Sequence, residues 1–283
     1  MSDGKTNTAS GLNEVEREFL EYVSSLNGAG LKDLTDRYIR LRARLKFDTK
    51  KYRNFCMDSL DLHELFYGQD DEKNILEVYR RHEFMIAMRF ISYSFSLDRL
   101  PKRRLSHSLK RLIGREVPPD RSKTQRESYA DRARLLAGKL GSDPVVVDYG
   151  CGFAYQSLQI AELYPAARTV LVDVDTINLR FAEHRFKKRG YDAETLPVTE
   201  DNLYPALPRH NVCIATEVME HVKSPLTVFE NINRSLEVGG MLYGDFGDHH
   251  AETYHVSHNL KGLREAMGGD YELIARHTYK RVR

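Results

Sequence analysis

Residues 144–152 read Pro-Val-Val-Val-Asp-Tyr-Gly-Cys-Gly, and this stretch constrains the fold more than any other. Val145, Val146 and Val147 form a short β-branched apolar run, the composition of a buried parallel strand. Asp148 stands where that strand should end. Gly150 and Gly152 follow with one residue between them. Lacking a Cβ, they let the backbone turn sharply and come close to a ligand. Gln156 to Leu163 reads as a helix. Strand, glycine turn and helix make the front of a nucleotide-type site in an open α/β sheet.

The second half of such a site lies at a fitting distance. Thr169-Val-Leu-Val-Asp173 is another apolar strand ending in an acid, about 20 residues past the glycines, where a carboxylate holds a ribose diol. Asp175 is expected to N-cap the next helix. A dinucleotide fold would share these features, but G-x-G-x-x-G needs a glycine where Tyr155 stands, and its ring would block a pyrophosphate.

Taken in order, the motifs resemble those of the class I S-adenosylmethionine (SAM) dependent methyltransferases, over residues from about 125 to 283. Asp148-Tyr-Gly-Cys-Gly152 is similar to that family's first motif, with Ala154 where many members carry a third glycine. Leu171-Val-Asp173 matches the acidic strand end, and Asn211 to Val222 the fourth strand and the turn after it. Ser224 to Gly240 matches the following helix with a Gly-Gly exit, and Met241 to Phe246 the fifth strand. The resemblance implies a Rossmann-like, doubly wound, mostly parallel sheet preceded by a helical region. It implies SAM as cofactor, held by Asp148, Gly150, Gly152 and Asp173. Family members often place an acid near the adenine amino group, and Glu200 or Asp201 fits that place. The family's sheet usually ends in an antiparallel strand. The tail from Tyr271 to Arg283 has room for one long strand or two very short ones, so that last strand is expected to be missing or rudimentary.

Composition narrows the setting. A net charge of +2 is too small to imply a nucleic-acid or membrane partner. Cys56, Cys151 and Cys213 are scattered without metal spacing, which suits a reducing compartment without disulfides. No signal peptide or spanning segment is visible, and a cytoplasmic protein is expected.

Ahead of the sheet the pattern is helical. Val15, Phe19, Leu20 and Val23 recur at helix spacing, as do Leu34, Tyr38, Leu41 and Leu45. One long helix is expected from Asp71 through Phe90, and Ile91 to Leu97 should continue it, since no turn signal interrupts. Pro101 starts a short basic helix, and Pro118-Pro119 breaks the chain. A further helix from about Arg121 to Leu140 leads into the first strand. The division expected is a polar, disordered tail over 1–12, a helical region over 13–120 and the SAM domain over 121–283. The helical region would serve as a lid, a homodimer contact, or both. The basic stretch from Lys102 to Arg126 is either an anion site or a solvated helix face, and it lacks the interleaved aromatics of an RNA site.

Glu217-Val-Met-Glu220-His221 follows the fourth strand. In a helical turn, positions i, i+3 and i+4 share one face, so Glu217, Glu220 and His221 should converge. The same Glu-x-x-Glu-His string occurs in ubiquinone-pathway O-methyltransferases and in enzymes that 2′-O-methylate small-RNA ends, where it is linked to a metal. The resemblance therefore implies either a divalent metal ion or a general base at His221, against a plain role in contacting SAM. His250 and His255, after the fifth strand, are candidates to complete a mixed N/O ligand set. The expected activity is methyl transfer to a small-molecule acceptor, with oxygen favoured. The competing readings are an RNA or nucleotide 2′-O-methyltransferase and a catalytically silent SAM-binding scaffold.

Overall fold

The computed structural model describes residues 12–46, 71–96, 125–140, 144–248, 256–257 and 259–283. Among the described residues, five helices precede the sheet: α1 (Glu14–Asn27), α2 (Leu31–Lys46), α3 (Glu72–Arg81), α4 (Glu83–Ser96) and α5 (Gln125–Ala137). The α/β part then runs β1 (Val145–Tyr149), α6 (Tyr155–Leu163), β2 (Arg168–Val174), α7 (Ile177–Lys188), β3 (Ala193–Val198) and β4 (His210–Ile214). It continues with α8 (Pro225–Ser235), β5 (Leu236–Tyr243), α9 (Lys261–Met267), β6 (Tyr271–Ala275) and β7 (Thr278–Arg281). The strands form one sheet in the order β3-β2-β1-β4-β5-β7-β6. β7 pairs antiparallel with both neighbours, and the other pairs are parallel.

β1 alternates its burial between two layers. Val145 and Val147 join Val170, Val172 and Cys213 against Val228, Phe229 and Ile232 of α8 and Leu263 of α9. Val146 points the other way, with Val212 and Ile214, onto Leu136 of α5 and Ile160 of α6. Helices on both faces explain why Val145, Val146 and Val147 are apolar in succession. The order reverses between β2-β1 and β4, and ligands of such sheets lie at that switch point.

The amino-terminal helices pack beside α7. Leu12, Val15, Phe19, Leu20 and Val23 share a buried cluster with Tyr38, Ala87, Ile91, Phe153, Ile177 and Phe181. Leu12, expected in the polar tail, is therefore core. α1 begins with a capping box, in which Asn13 and Glu16 bond each other's backbone amides, satisfying two otherwise orphaned donors.

Several expectations are corrected. The segment after Asp71 is two helices rather than one, because His82 leaves the helical region (φ −115°, ψ 21°), and the chain remains helical to Ser96 as expected. Thr176, not Asp175, caps α7 and accepts from Asn178 N–H; β2 runs on to Val174, which moves the cap one residue along. Gly239-Gly240 lies inside β5, where the register with β4 shifts between His210 and Val212, instead of before the strand. The final antiparallel strand is present. Arg276 and His277, the latter at φ 54°, turn the short tail tightly enough for both β6 and β7. Pro118-Pro119 and the basic residues from Lys102 to Lys123 lie outside the described residues.

Candidate functional site

A cavity of ≈ 450 Å³ opens beyond the carboxyl ends of β1, β2 and β4, within the roughly 300–1,000 Å³ range of sites for cofactor-sized ligands. Asp148, Gly150, Cys151 and Asp173 line one part. Tyr204, Thr216, Glu217 and His221 line another, and Glu72, Ile75, Leu76, Tyr79, Ile86 and Phe90 of α3 and α4 contribute a further wall.

The glycine turn is tightly built. Gly150 and Gly152 have φ of 69° and 53°, a left-handed region that favours glycine. A Cβ on Gly150 would fall 2.3 Å from Val218 Cγ2, and one on Gly152 would fall 2.5 Å from the Phe90 ring. Ala154 also sits at φ 52°. The third-glycine position thus keeps the glycine-like conformation with a methyl in place of hydrogen.

Both acids at the strand ends are held by the fold. Asp173 takes Gly152 N–H at 2.6 Å on one oxygen and Val174 N–H at 2.7 Å on the other. Each carboxylate oxygen carries two lone-pair sites, so each keeps one for a ligand hydroxyl. Burial lifts the Asp173 carboxyl to about 6, against the pull of those two amides. Asp148 is more enclosed and accepts from Ser157 Oγ. Burial raises it to about 7, with the Ser157 bond opposing and the Asp173 charge assisting.

Two lining residues that the motifs did not flag carry buried acceptor oxygens. Gln156 Oε1 and Asn178 Oδ1 make no hydrogen bond among the described residues. A buried acceptor left in that state costs about 1–3 kcal/mol, a cost that a bound donor would remove. These oxygens and the two aspartates fit the hydroxyl and ammonium groups of SAM. Glu72, also unflagged, reaches from α3 to accept Lys223 N–H at 2.8 Å. Burial raises its carboxyl above the usual range, opposed chiefly by that bond.

Glu217, Glu220 and His221 converge as expected, though not on an α-helical turn. Met219–His221 is a 3-10 turn, and Glu217 adopts φ 56°. One ligating atom from each lies within 4.8 Å of the others. Glu217 is exposed, His221 half-buried and Glu220 fully buried. Val256 and Ser257 lie against this turn: their N–H groups donate to Glu220 O at 2.8 and 3.1 Å, and Ser257 Oγ donates to Val222 O. His250 and His255 themselves lie outside the described residues. Glu200 is bound by Arg80 of α3 at 2.6 Å, and neither it nor Asp201 lines the cavity. Gly152 and Glu220 stand behind the lining.

Residues 140–272 match the family described as a methyltransferase domain. A curated relative, the ubiquinone biosynthesis O-methyltransferase of Methylobacterium sp. (strain 4-46), is 28% identical over 108 residues. The match covers 37% of this chain, and the chain spans 43% of that relative's length. Among solved structures, TehB from Haemophilus influenzae matches with TM-score 0.42 and 17% identity, over 53% of this chain and 51% of TehB. The plantazolicin methyltransferase BpumL, in complex with a monoazolic desmethylPZN analog and SAH, matches with TM-score 0.36 and 15% identity, over 42% and 46% of the two chains. No described helix is long and apolar enough to cross a membrane.

Proposed function

We propose, for a chain whose residues 140–272 form a class I SAM-dependent methyltransferase domain, that the protein methylates a small-molecule acceptor at an oxygen atom. The observation that carries this reading is the wall that α3 and α4 add to the cavity, through Ile75, Leu76, Tyr79, Ile86 and Phe90. A polymer substrate needs a groove open along its length, whereas a site walled by apolar side chains suits a compact acceptor. The helical region is then the lid of the acceptor site.

When bound, SAM supplies an activated methyl group. Asp173 takes the ribose hydroxyls, and the turn at Gly150 lets backbone approach the cofactor. The helices exclude water and hold the acceptor in line, which is the larger part of the task in a displacement of this kind. An oxygen nucleophile must lose its proton. In this reading His221, half-buried on the cavity wall, takes it as general base. The two carboxylates and imidazole of Glu217, Glu220 and His221 also form a donor set suited to a divalent ion. Such an ion would lower the pKa of an acceptor hydroxyl.

The test is methyl-labelled SAM incubated with the protein and a cell extract separated into small-molecule and RNA fractions. Label in the small-molecule fraction supports the reading, and label confined to RNA overturns it. His221→Ala should lower turnover about 10²–10⁴-fold with little change in SAM affinity. Loss of activity on chelation, with recovery on adding a divalent ion, would assign the metal route; insensitivity to chelation would leave His221 as the base.

A further inference from the structure

Ala154 is the strained point of the glycine turn. It is fully buried and holds φ 52° and ψ 44°, a left-handed conformation that suits glycine and disfavours an L side chain. Its N–H closes the turn on the Cys151 carbonyl at 2.7 Å, and its own carbonyl accepts Leu158 N–H and opens α6. Inside the same turn, Gly152 N–H reaches Asp173. If Ala154 relaxed out of the left-handed region, the turn would open and the amide that orients the ribose acid would move. Such a residue persists only where its surroundings over-determine it.

Arg185 of α7 supplies the constraint. It is buried and touches both residues that flank Ala154. Its Nη1 donates to the Phe153 carbonyl, and its guanidinium lies over the Tyr155 ring, 5.3 Å from the centroid. The Phe153–Ala154 peptide is thus held on both sides, its C=O by Arg185 and its N–H by Cys151 O. The φ of Ala154 is the rotation between that peptide and α6, so fixing the peptide fixes φ. The guanidinium is itself oriented from α1. Arg185 Nε donates to Glu18 Oε2 at 3.1 Å, and Arg189 engages Oε1 of the same carboxylate at 2.6 Å.

We infer that Arg185 is a positioning residue for cofactor binding: oriented by Glu18, it holds the Phe153–Ala154 peptide so that Ala154 keeps the left-handed conformation a third glycine would otherwise supply. The inference rests on the reading that SAM lies against the glycine turn. It adds that α1, which lies ahead of the matched residues 140–272, sets the cofactor's affinity through Glu18.

The experiment is calorimetric titration of S-adenosylhomocysteine into the full chain and its variants. Arg185→Met keeps the apolar stem but donates nothing, so Ala154 regains its aversion to the left-handed region and affinity should fall about five- to thirtyfold. Glycine has no such aversion, so adding Ala154→Gly to Arg185→Met should restore affinity to within about threefold of the unaltered protein, while Ala154→Gly alone should stay within about twofold. Glu18→Gln weakens the charge-assisted bond that orients Arg185 and should cost about threefold or more. Glu14→Gln, which loosens only an exposed pair with Arg189, should stay within about twofold. Unchanged affinity in Arg185→Met would overturn the inference. A loss that Ala154→Gly does not recover would make Arg185 a general support of the fold and overturn it as well, as would an equal loss from Glu14→Gln and Glu18→Gln. Should Arg185→Met fail to fold, Glu18→Gln with and without Ala154→Gly decides by the same criterion. Failure of the unaltered protein to bind S-adenosylhomocysteine would instead sink the methyltransferase reading on which the inference rests.

Discussion

Val146 and Val147 disappear completely between helices on either face of the sheet, whereas the amino-terminal helices meet the same domain through rings and buried charge. Phe19 and Phe90 lie 5.3 and 5.4 Å from the ring of Phe153, which belongs to the glycine turn. Glu18 of α1 pairs with Arg185 of α7 and with Arg189, which caps that helix's carboxyl end, and Arg185 in turn donates to the Phe153 carbonyl. Burial alone would raise the Glu18 carboxyl, but the Arg189 bond and the charges of Arg185 and Arg189 outweigh it and hold it below its ordinary value. Glu72, Arg80 and Glu83 tie α3 and α4 to Lys223 N–H, Glu200 and Ile177 N–H. The sheet is a core in its own right. The helices are attached to it through one shared cluster beside α7 and through these directional points.

That contrast predicts different penalties for the same change in the two regions. Gly150 and Gly28 both have positive φ, but a Cβ on Gly150 meets Val218 at 2.3 Å, and one on Gly28 meets nothing within 4 Å. Gly150→Ala should abolish measurable SAM binding. Gly28→Ala should cost only the left-handed strain, about 1–2 kcal/mol, with SAM affinity unchanged. Equal effects would break the comparison.

Glu18→Ala tests the attachment. Glu18 and Arg185 are 3% and 5% exposed, so the substitution leaves a guanidinium buried without its carboxylate. A loss of about 3–5 kcal/mol in urea unfolding is expected. A loss below about 1 kcal/mol would mark the pair as no stronger than a surface salt bridge.

An effect spread over several pH units, and so smaller at any one pH step, follows from titration. Asp148 and Asp173 titrate near 7 and 6 in the fold, both above the ordinary 3.8. The folded protein therefore binds more protons than the unfolded chain between these values. Their contribution to stability is full below about pH 4 and is lost as pH rises toward 7. Asp148→Asn keeps an acceptor for Ser157 but removes one titration. The difference between the two unfolding profiles should have a slope on the order of 1.4 kcal/mol per pH unit over that window. Parallel profiles would show that Asp148 is not held protonated.

The smallest expected change is at Ala154. Glycine there relieves left-handed strain of about 1–2 kcal/mol, but it loses a buried methyl worth about 0.8 kcal/mol and gains unfolded-state freedom. Ala154→Gly should alter unfolding free energy by less than about 1 kcal/mol. A loss beyond about 2 kcal/mol would mean that the methyl is needed.

The sheet was legible because its signals are local. A β-branched run, two glycines and an acid at the next strand end are read from neighbours in the chain, and the structure carries each of them in β1, the turn and β2. The convergence of Glu217, Glu220 and His221 was legible too, though by a 3-10 turn rather than the helical face the spacing suggested. Glu72, Phe90 and Asn178 were not legible. Their roles depend on which element faces the cavity, and helix periodicity marks a buried face without naming its partner. Glu200 shows the converse: its position in the sequence suits an adenine contact, but Arg80, 120 residues earlier, engages its carboxylate. Gln156 read only as the start of a helix, since an unmade hydrogen bond is visible only in three dimensions.

The central claim is that SAM lies across the β1–β4 switch point with its ribose on Asp173. The most direct test is calorimetric titration of SAM into the full chain and into Asp173→Ala. The account predicts that the substitution removes charge-assisted bonds of about 1.5–3 kcal/mol, weakening SAM by about ten- to a hundredfold while the fold persists. SAM binding of unchanged affinity in Asp173→Ala would contradict it.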